Sequence, residues 1–71
     1  MTNDVSTVVV DARGMKCPWP ALRLARAMRS ERKVMLLADD PQAGREIAAL
    51  AGEQHWSVET ETEGRWLVRR I

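Results

Sequence analysis

The sequence predicts an α/β (α+β) two-layer sandwich in the order βαβαββ, with a four-stranded mixed sheet and two helices on one face. Three observations carry this expectation. Two short apolar runs, Thr7 to Val10 and Val34 to Ala38, are each followed by a stretch whose apolar residues recur every three to four positions. From Trp56 to Val68 apolar and polar residues alternate about a turn near Thr62 to Gly64, which reads as a hairpin. A strand, helix and strand close right-handed into a parallel pair, and the hairpin then adds an antiparallel one.

The elements follow in order. The β-branched run Thr7 to Val10 is a strand that ends at Asp11, and Gly14 supplies the permissive backbone of a strand-to-helix turn. Ala21, Leu22, Leu24, Ala25 and Met28 form an apolar helical stripe, leaving Arg23, Arg26 and Arg29 for water. Pro18 or Pro20 can open that helix, because a first-turn proline gives up no hydrogen bond. Pro20 also disfavours a helical Trp19, so both starting points stay open. The continuous run Val34 to Ala38 predicts a central strand buried on both faces. Asp39-Asp40-Pro41 then marks the start of a second helix, capped by carboxylate. Its apolar positions are Ala43, Ile47, Leu50 and Ala51, and Gly52 is expected to end it with a left-handed cap. In the hairpin, Glu61 facing Arg65 would set Val58 against Val68 and Thr60 against Trp66. Glu59, Glu61, Arg65 and Arg69 would then share the polar face. Residues 1 to 4 are expected to fray.

Composition narrows the function. The chain has 71 residues, 45% of them hydrophobic, enough for one small domain spanning residues 1–71 and one modest core. No apolar run approaches the roughly 18 residues of a membrane span, and residues 1 to 10 lack the pattern of a signal peptide. The expected location is cytoplasmic, with no membrane partner. One cysteine and one histidine give neither an internal disulfide nor a metal site, and no cofactor is expected. Beneath a net charge of +1, the stretch from Arg13 to Lys33 carries seven bases and one acid, whereas Val34 to Glu63 carries seven acids and one base. A basic end of this kind steers acidic partners.

The chemistry centres on Cys17. It lies in Asp11-Ala12-Arg13-Gly14-Met15-Lys16-Cys17-Pro18-Trp19-Pro20, directly before the first helix. A thiol reacts as thiolate, and with a pKa of about 8.5 it needs help to ionise at neutral pH. A helix N-terminus offers free N–H groups and the positive end of a dipole, and Arg13 and Lys16 can add to it. Cys17 is therefore expected at the surface with an acidified thiol.

That segment resembles the Cys-Pro-x-Pro signature of the TusA (SirA-like) sulfur-carrier family, including its preceding Asp and Gly. Ala38-Asp39-Asp40-Pro41 with Arg45-Glu46-Ile47 is similar to the family's second-helix start. The resemblance spans nearly the whole chain, although the hairpin matches as a pattern only. It implies a carrier whose Cys17 accepts a sulfane sulfur as a persulfide. The donor would be a cysteine desulfurase or a rhodanese, and the acceptor a sulfurtransferase or a sulfur-oxidation protein. Family roles include tRNA thiolation, molybdenum-cofactor enzymes and sulfur oxidation. Trp19 departs from the small or acidic residue of the tRNA-thiolation members, which bears on the partner. Asp11, Gly14, Pro18 and Pro20 would support the cysteine, and Arg13, Lys16, Trp19, Arg23, Arg26, Asp39, Asp40 and Arg45 are the candidate partner contacts. The protein would work as a substrate within a relay, as a monomer.

Plainer readings compete. A lone cysteine is more often a buried, inert hydrophobe, and the flanking prolines can simply start a helix. Asp39 and Asp40 are first of all caps, and Asp11 stabilises a loop. Met15 and Trp19 can form an apolar contact patch or pack locally, while Trp56 and Trp66 belong to the core or hairpin. His55 receives no role. The alternative class is a non-catalytic RNA- or protein-binding regulatory module. Nucleic acid is disfavoured, since the bases are not interleaved with exposed aromatics. A peroxide-sensing thiol is a third class.

Overall fold

The computed structural model describes residues 7–70, so the expected fraying of residues 1 to 4 lies outside the described residues. The elements run β1 (Val8–Asp11), α1 (Trp19–Met28), β2 (Lys33–Leu37), α2 (Ala43–Gln54), β3 (Ser57–Thr62) and β4 (Arg65–Arg69). The sheet order is β1-β2-β4-β3. β1 and β2 pair in parallel and the other pairings are antiparallel, giving the expected mixed sheet.

Register explains the core. Val8, Val34, Val68 and Val58 form one row across the sheet, and Val10, Leu36, Trp66 and Thr60 the next. Leu24 and Met28 of α1 and Ala43 and Ile47 of α2 pack into the same cluster as Val34, Leu36 and Val68. Both helices cover this single face. The intervening row, Val9, Met35, Leu67 and Glu59, lies on the other face. Val9 is 60% exposed there. β2 is central as expected, but its burial alternates, so the expectation of a strand covered on both faces is corrected. A pleated strand sends successive side chains to opposite sides, and here only one side has a second layer.

Other expectations shift. α1 begins at Trp19, which is helical despite the following Pro20, and Pro18 takes the cap position. Leu22 is 51% exposed rather than part of the buried stripe. Pro20, Ala21, Leu24 and Met28 supply the buried side instead. α2 starts at Ala43 after a turn at Pro41 and Gln42, and it runs through Gly52 to Gln54. The left-handed residue is His55, at φ 63°, whose backbone N–H bonds to Ala51 O. Position, not residue preference, decided the cap: after Ala51 the chain must reach Trp56, whose N–H also bonds to Ala51 O at 2.9 Å. In the hairpin, Val58 faces Val68 and Thr60 faces Trp66 as expected, whereas a bulge between Thr60 and Thr62 places Thr62, not Glu61, opposite Arg65. Arg69 still pairs with Glu59 at 3.3 Å. At the far end of α1, the Arg70 guanidinium donates to the carbonyl oxygens of Met28 and Arg29, a cation at the negative end of the helix dipole.

Candidate functional site

Two loops at the carboxyl ends of the parallel strands β1 and β2 build the site. Ala12 extends the parallel ladder by donating its N–H to Leu37 O at 2.7 Å. The chain then turns at Gly14, whose φ of +83° suits glycine. The N–H of Gly14 is donated to Asp39 Oδ1 at 2.9 Å. Cys17 follows, joined to Pro18 by a cis peptide bond. Its own N–H is donated to Asp40 Oδ2 at 2.9 Å, while Asp40 Oδ1 accepts from the Gln42 N–H at 2.8 Å. Asp40 thus fixes the turn before α2 and ties it to the cysteine loop; the expectation that a carboxylate caps α2 is corrected, because Gln42 holds the cap position and no side chain caps the helix start. Asp39 does not cap its own helix and holds Gly14 instead.

Cys17 is free and half-buried. Partial removal from water pushes the thiol pKa up, and the negative charges of Glu46 and Asp40 push in the same direction. The expectation of an acidified thiol is therefore corrected. Pro18 and Pro20 have no N–H to offer an anion. Trp19 gives its N–H to Lys16 O at 2.9 Å, and the Cys17 N–H is spent on Asp40. The donors that would hold a thiolate at a helix start are thus mostly missing or engaged. Arg13 does not compensate, because it closes on Asp11 with Nε and a terminal nitrogen at 2.9 and 2.8 Å. That pairing draws the Asp11 carboxyl down to about 2. Lys16 is exposed and its charge favours the Asp40 carboxylate.

The candidate contacts divide into two groups. Trp19, Leu22, Arg23 and Arg26 line a shallow surface cleft on the outer side of α1. Trp19 is 59% exposed, so this face carries apolar area as well as charge. Arg13, Asp39 and Asp40 border a second cleft of about 560 Å³, which Trp66, Glu63 and Arg65 complete and which Cys17 does not line. Arg45 is exposed, and no ion pair among the described residues includes it. Among the described residues no group of His, Cys, Asp and Glu is arranged to hold a metal ion.

Glu46 is the charged neighbour of Cys17 that sequence reasoning missed. Its signal was the helical spacing: Ala43 and Ile47 face the core, and a residue three beyond one and adjacent to the other flanks that face. Exposed carboxylates on helices ordinarily face water, which hid it.

A two-layer α+β domain that presents one half-buried cysteine between two parallel-strand loops defines a small thiol protein of simple means. Residues 8–70 match the family described as Sulfurtransferase TusA, and the chain belongs to that family. Sulfur transfer in concert with partner proteins is its family function. Among the described residues no helix is long and apolar enough to cross a membrane.

Proposed function

We propose that the protein is a single sulfur-relay domain that receives a sulfane sulfur on Cys17 as a persulfide and hands it to an acceptor protein. The observation that carries this reading is the placement of the chain's one thiol. It is half-buried, its backbone is fixed by Asp40, and the exposed surface of Trp19, Leu22, Arg23 and Arg26 begins two residues away. A docking surface beside a nucleophile is what a carrier needs, because its sulfur must enter another protein's site.

In loading, the Cys17 thiolate attacks the terminal sulfur of a donor persulfide. The new bond joins Cys17 Sγ to that sulfur, the donor's S–S bond breaks, and the electron pair leaves with the donor cysteine as thiolate, which takes up the released proton. Unloading repeats the exchange with the acceptor's thiolate as nucleophile. No second cysteine is present to divert the persulfide into an internal disulfide. A cysteine desulfurase or a rhodanese is the natural donor class. Asp11, Gly14, Pro18, Pro20 and Asp40 shape the loop, and Trp19, Arg23 and Arg26 meet the partner.

Incubation with a desulfurase and cysteine, or with a rhodanese and thiosulfate, followed by intact mass, tests the reading. A gain of roughly 32 Da that reductant reverses and Cys17→Ser lacks is expected, the mass of one added sulfur on the cysteine oxidation and persulfidation ladder. No adduct from either donor, with Cys17 still open to alkylation, would replace it with the RNA- or protein-binding module.

A further inference from the structure

Successive side chains of a strand point to opposite faces of its sheet, and α1 and α2 both pack on one of them. On the other face, Val9, Met35 and Leu67 run side by side across β1, β2 and β4, with Leu37 next to Met35 along β2. Val9 is 60% exposed, and Met35, Leu37 and Leu67 are half-buried. The rim of this apolar patch is basic. Lys33 and Arg69 pair at one end of it, and Arg65 stands opposite Leu37 at the other. Arg69 is bound to Glu59, whereas no ion pair among the described residues includes Lys33 or Arg65. An exposed apolar patch with a polar rim is the form of a contact surface.

The charges choose the occupant. Two copies stacked sheet to sheet, centred on Met35 and Leu67, would meet about a two-fold axis. With the axis along the strands, β2 lies over β4 and Lys33 faces Arg69; with the axis across them, β4 lies over itself reversed and Arg65 faces Arg69. Both arrangements set like charges together. We propose that the open sheet face docks an amphipathic helix of a partner protein, whose apolar stripe packs on Val9, Met35 and Leu67 and whose flanking acids pair with Lys33 and Arg65. A helix suits a sheet face because its own backbone groups are already paired, and it supplies a third layer to a two-layer domain. A partner held there leaves the outer side of α1, with Trp19, Arg23 and Arg26, free for a second protein. The face is thus a tether that works independently of the chemistry at Cys17.

The test uses a synthetic helical peptide of about five turns, with leucine along one stripe and glutamate on its flanks, titrated into the isotope-labelled protein while amide shifts are followed by NMR. Saturable shifts are expected at Val9, Met35 and Leu67. Lys33→Glu with Arg65→Glu should weaken the binding about tenfold, Val9→Ser should weaken it as well, and both variants should melt near the wild type. A peptide with lysine in place of glutamate should not bind. The proposal is overturned if no shifts saturate, if they fall on Trp19 and Leu22 instead, or if the lysine peptide binds equally well. Shifts at Met35 and Leu67 that grow with the protein's own concentration would assign the face to a second copy. Nuclear Overhauser contacts from Leu67 to residues 1–6 would assign it to the chain itself, and binding to phosphatidylglycerol vesicles but not to the peptide would assign it to a membrane. Each of these three results also overturns the proposal.

Discussion

Asp40 spans two elements, accepting the N–H of Cys17 on one carboxylate oxygen at 2.9 Å and the N–H of Gln42 on the other at 2.8 Å. One side chain thus fixes both the turn that precedes the second helix and the backbone of Cys17. Asparagine offers a single acceptor oxygen, and its amide would turn donors toward an N–H. Asp40→Asn should therefore lose amide-exchange protection at Cys17 or Gln42 and melt earlier than the wild type.

The same contacts give the tether a pH dependence. The N–H groups of Gln42 and Cys17 hold the Asp40 carboxyl below its ordinary value. A carboxyl depressed in the fold stabilises it above the ordinary pKa, and the contribution fades as pH falls through the lower, folded value. Cys17 amide protection should thus persist at mildly acidic pH and be lost in stronger acid. In Asp40→Asn that acid-dependent loss should be absent.

Asp11 offers a titration on the far side of the loop. Its carboxyl sits at about 2, against an ordinary 3.8, because Arg13 donates to it from both side chain and backbone. Carboxyl shifts followed by NMR should show a midpoint near pH 2 in the wild type and a return toward 3.8 in Arg13→Ala. The pair is exposed, and exposed ion pairs contribute little to stability. The melting temperature at neutral pH should change little.

Two glycines should respond in opposite ways. A Cβ at Gly52 meets nothing within 4 Å, and the residue lies inside α2, so Gly52→Ala should stabilise by about 0.5–1 kcal/mol. At Gly64 a Cβ would come within 2.9 Å of Ala38 O, at a φ of +81°. Gly64→Ala should cost about 1–3 kcal/mol through backbone strain. For a domain of this size each kcal/mol moves the melting temperature by about 4–8 °C, which calorimetry resolves.

The outer face of α1 can be separated from the thiol. Trp19→Ala with Arg26→Glu removes exposed apolar area and reverses a charge, both outside the core cluster. Enzymatic sulfur loading should fall about fivefold to thirtyfold at low donor concentration, in line with loss of an interface anchor worth about 1–2 kcal/mol. Alkylation of Cys17 and the melting temperature should stay near wild type. Equal loss of loading and of alkylation would instead indicate a disturbed loop.

Much of this was legible beforehand, and the reasons differ by residue. Alternation from Trp56 to Val68 reports a half-buried hairpin, so the pairing of Val58 with Val68 could be read directly. The bulge at Glu61 could not, because it lies at the end of β3 with only Thr62 beyond it, too little strand for the shift in alternation to show. Gly52 shows the limit of residue preference, since helix length was set by where Ala51 could receive two N–H groups. The role proposed for Cys17 rests on its motif, whereas its electrostatic setting could not be read there. Asp40 and Glu46 are distant in sequence from Cys17, and only the packing of α2 against the cysteine loop brings their charges to the sulfur.

The bulge in β3 also governs how copies of the protein meet. β3 is an edge strand, and an open strand edge is a template for pairing with another chain. Glu59 and Glu61 are exposed along it, and the extra residue at Glu61 breaks its regular step. Two copies approaching edge to edge would bring carboxylates against carboxylates over a mismatched ladder, so this flank of the sheet is guarded against aggregation even in a concentrated solution.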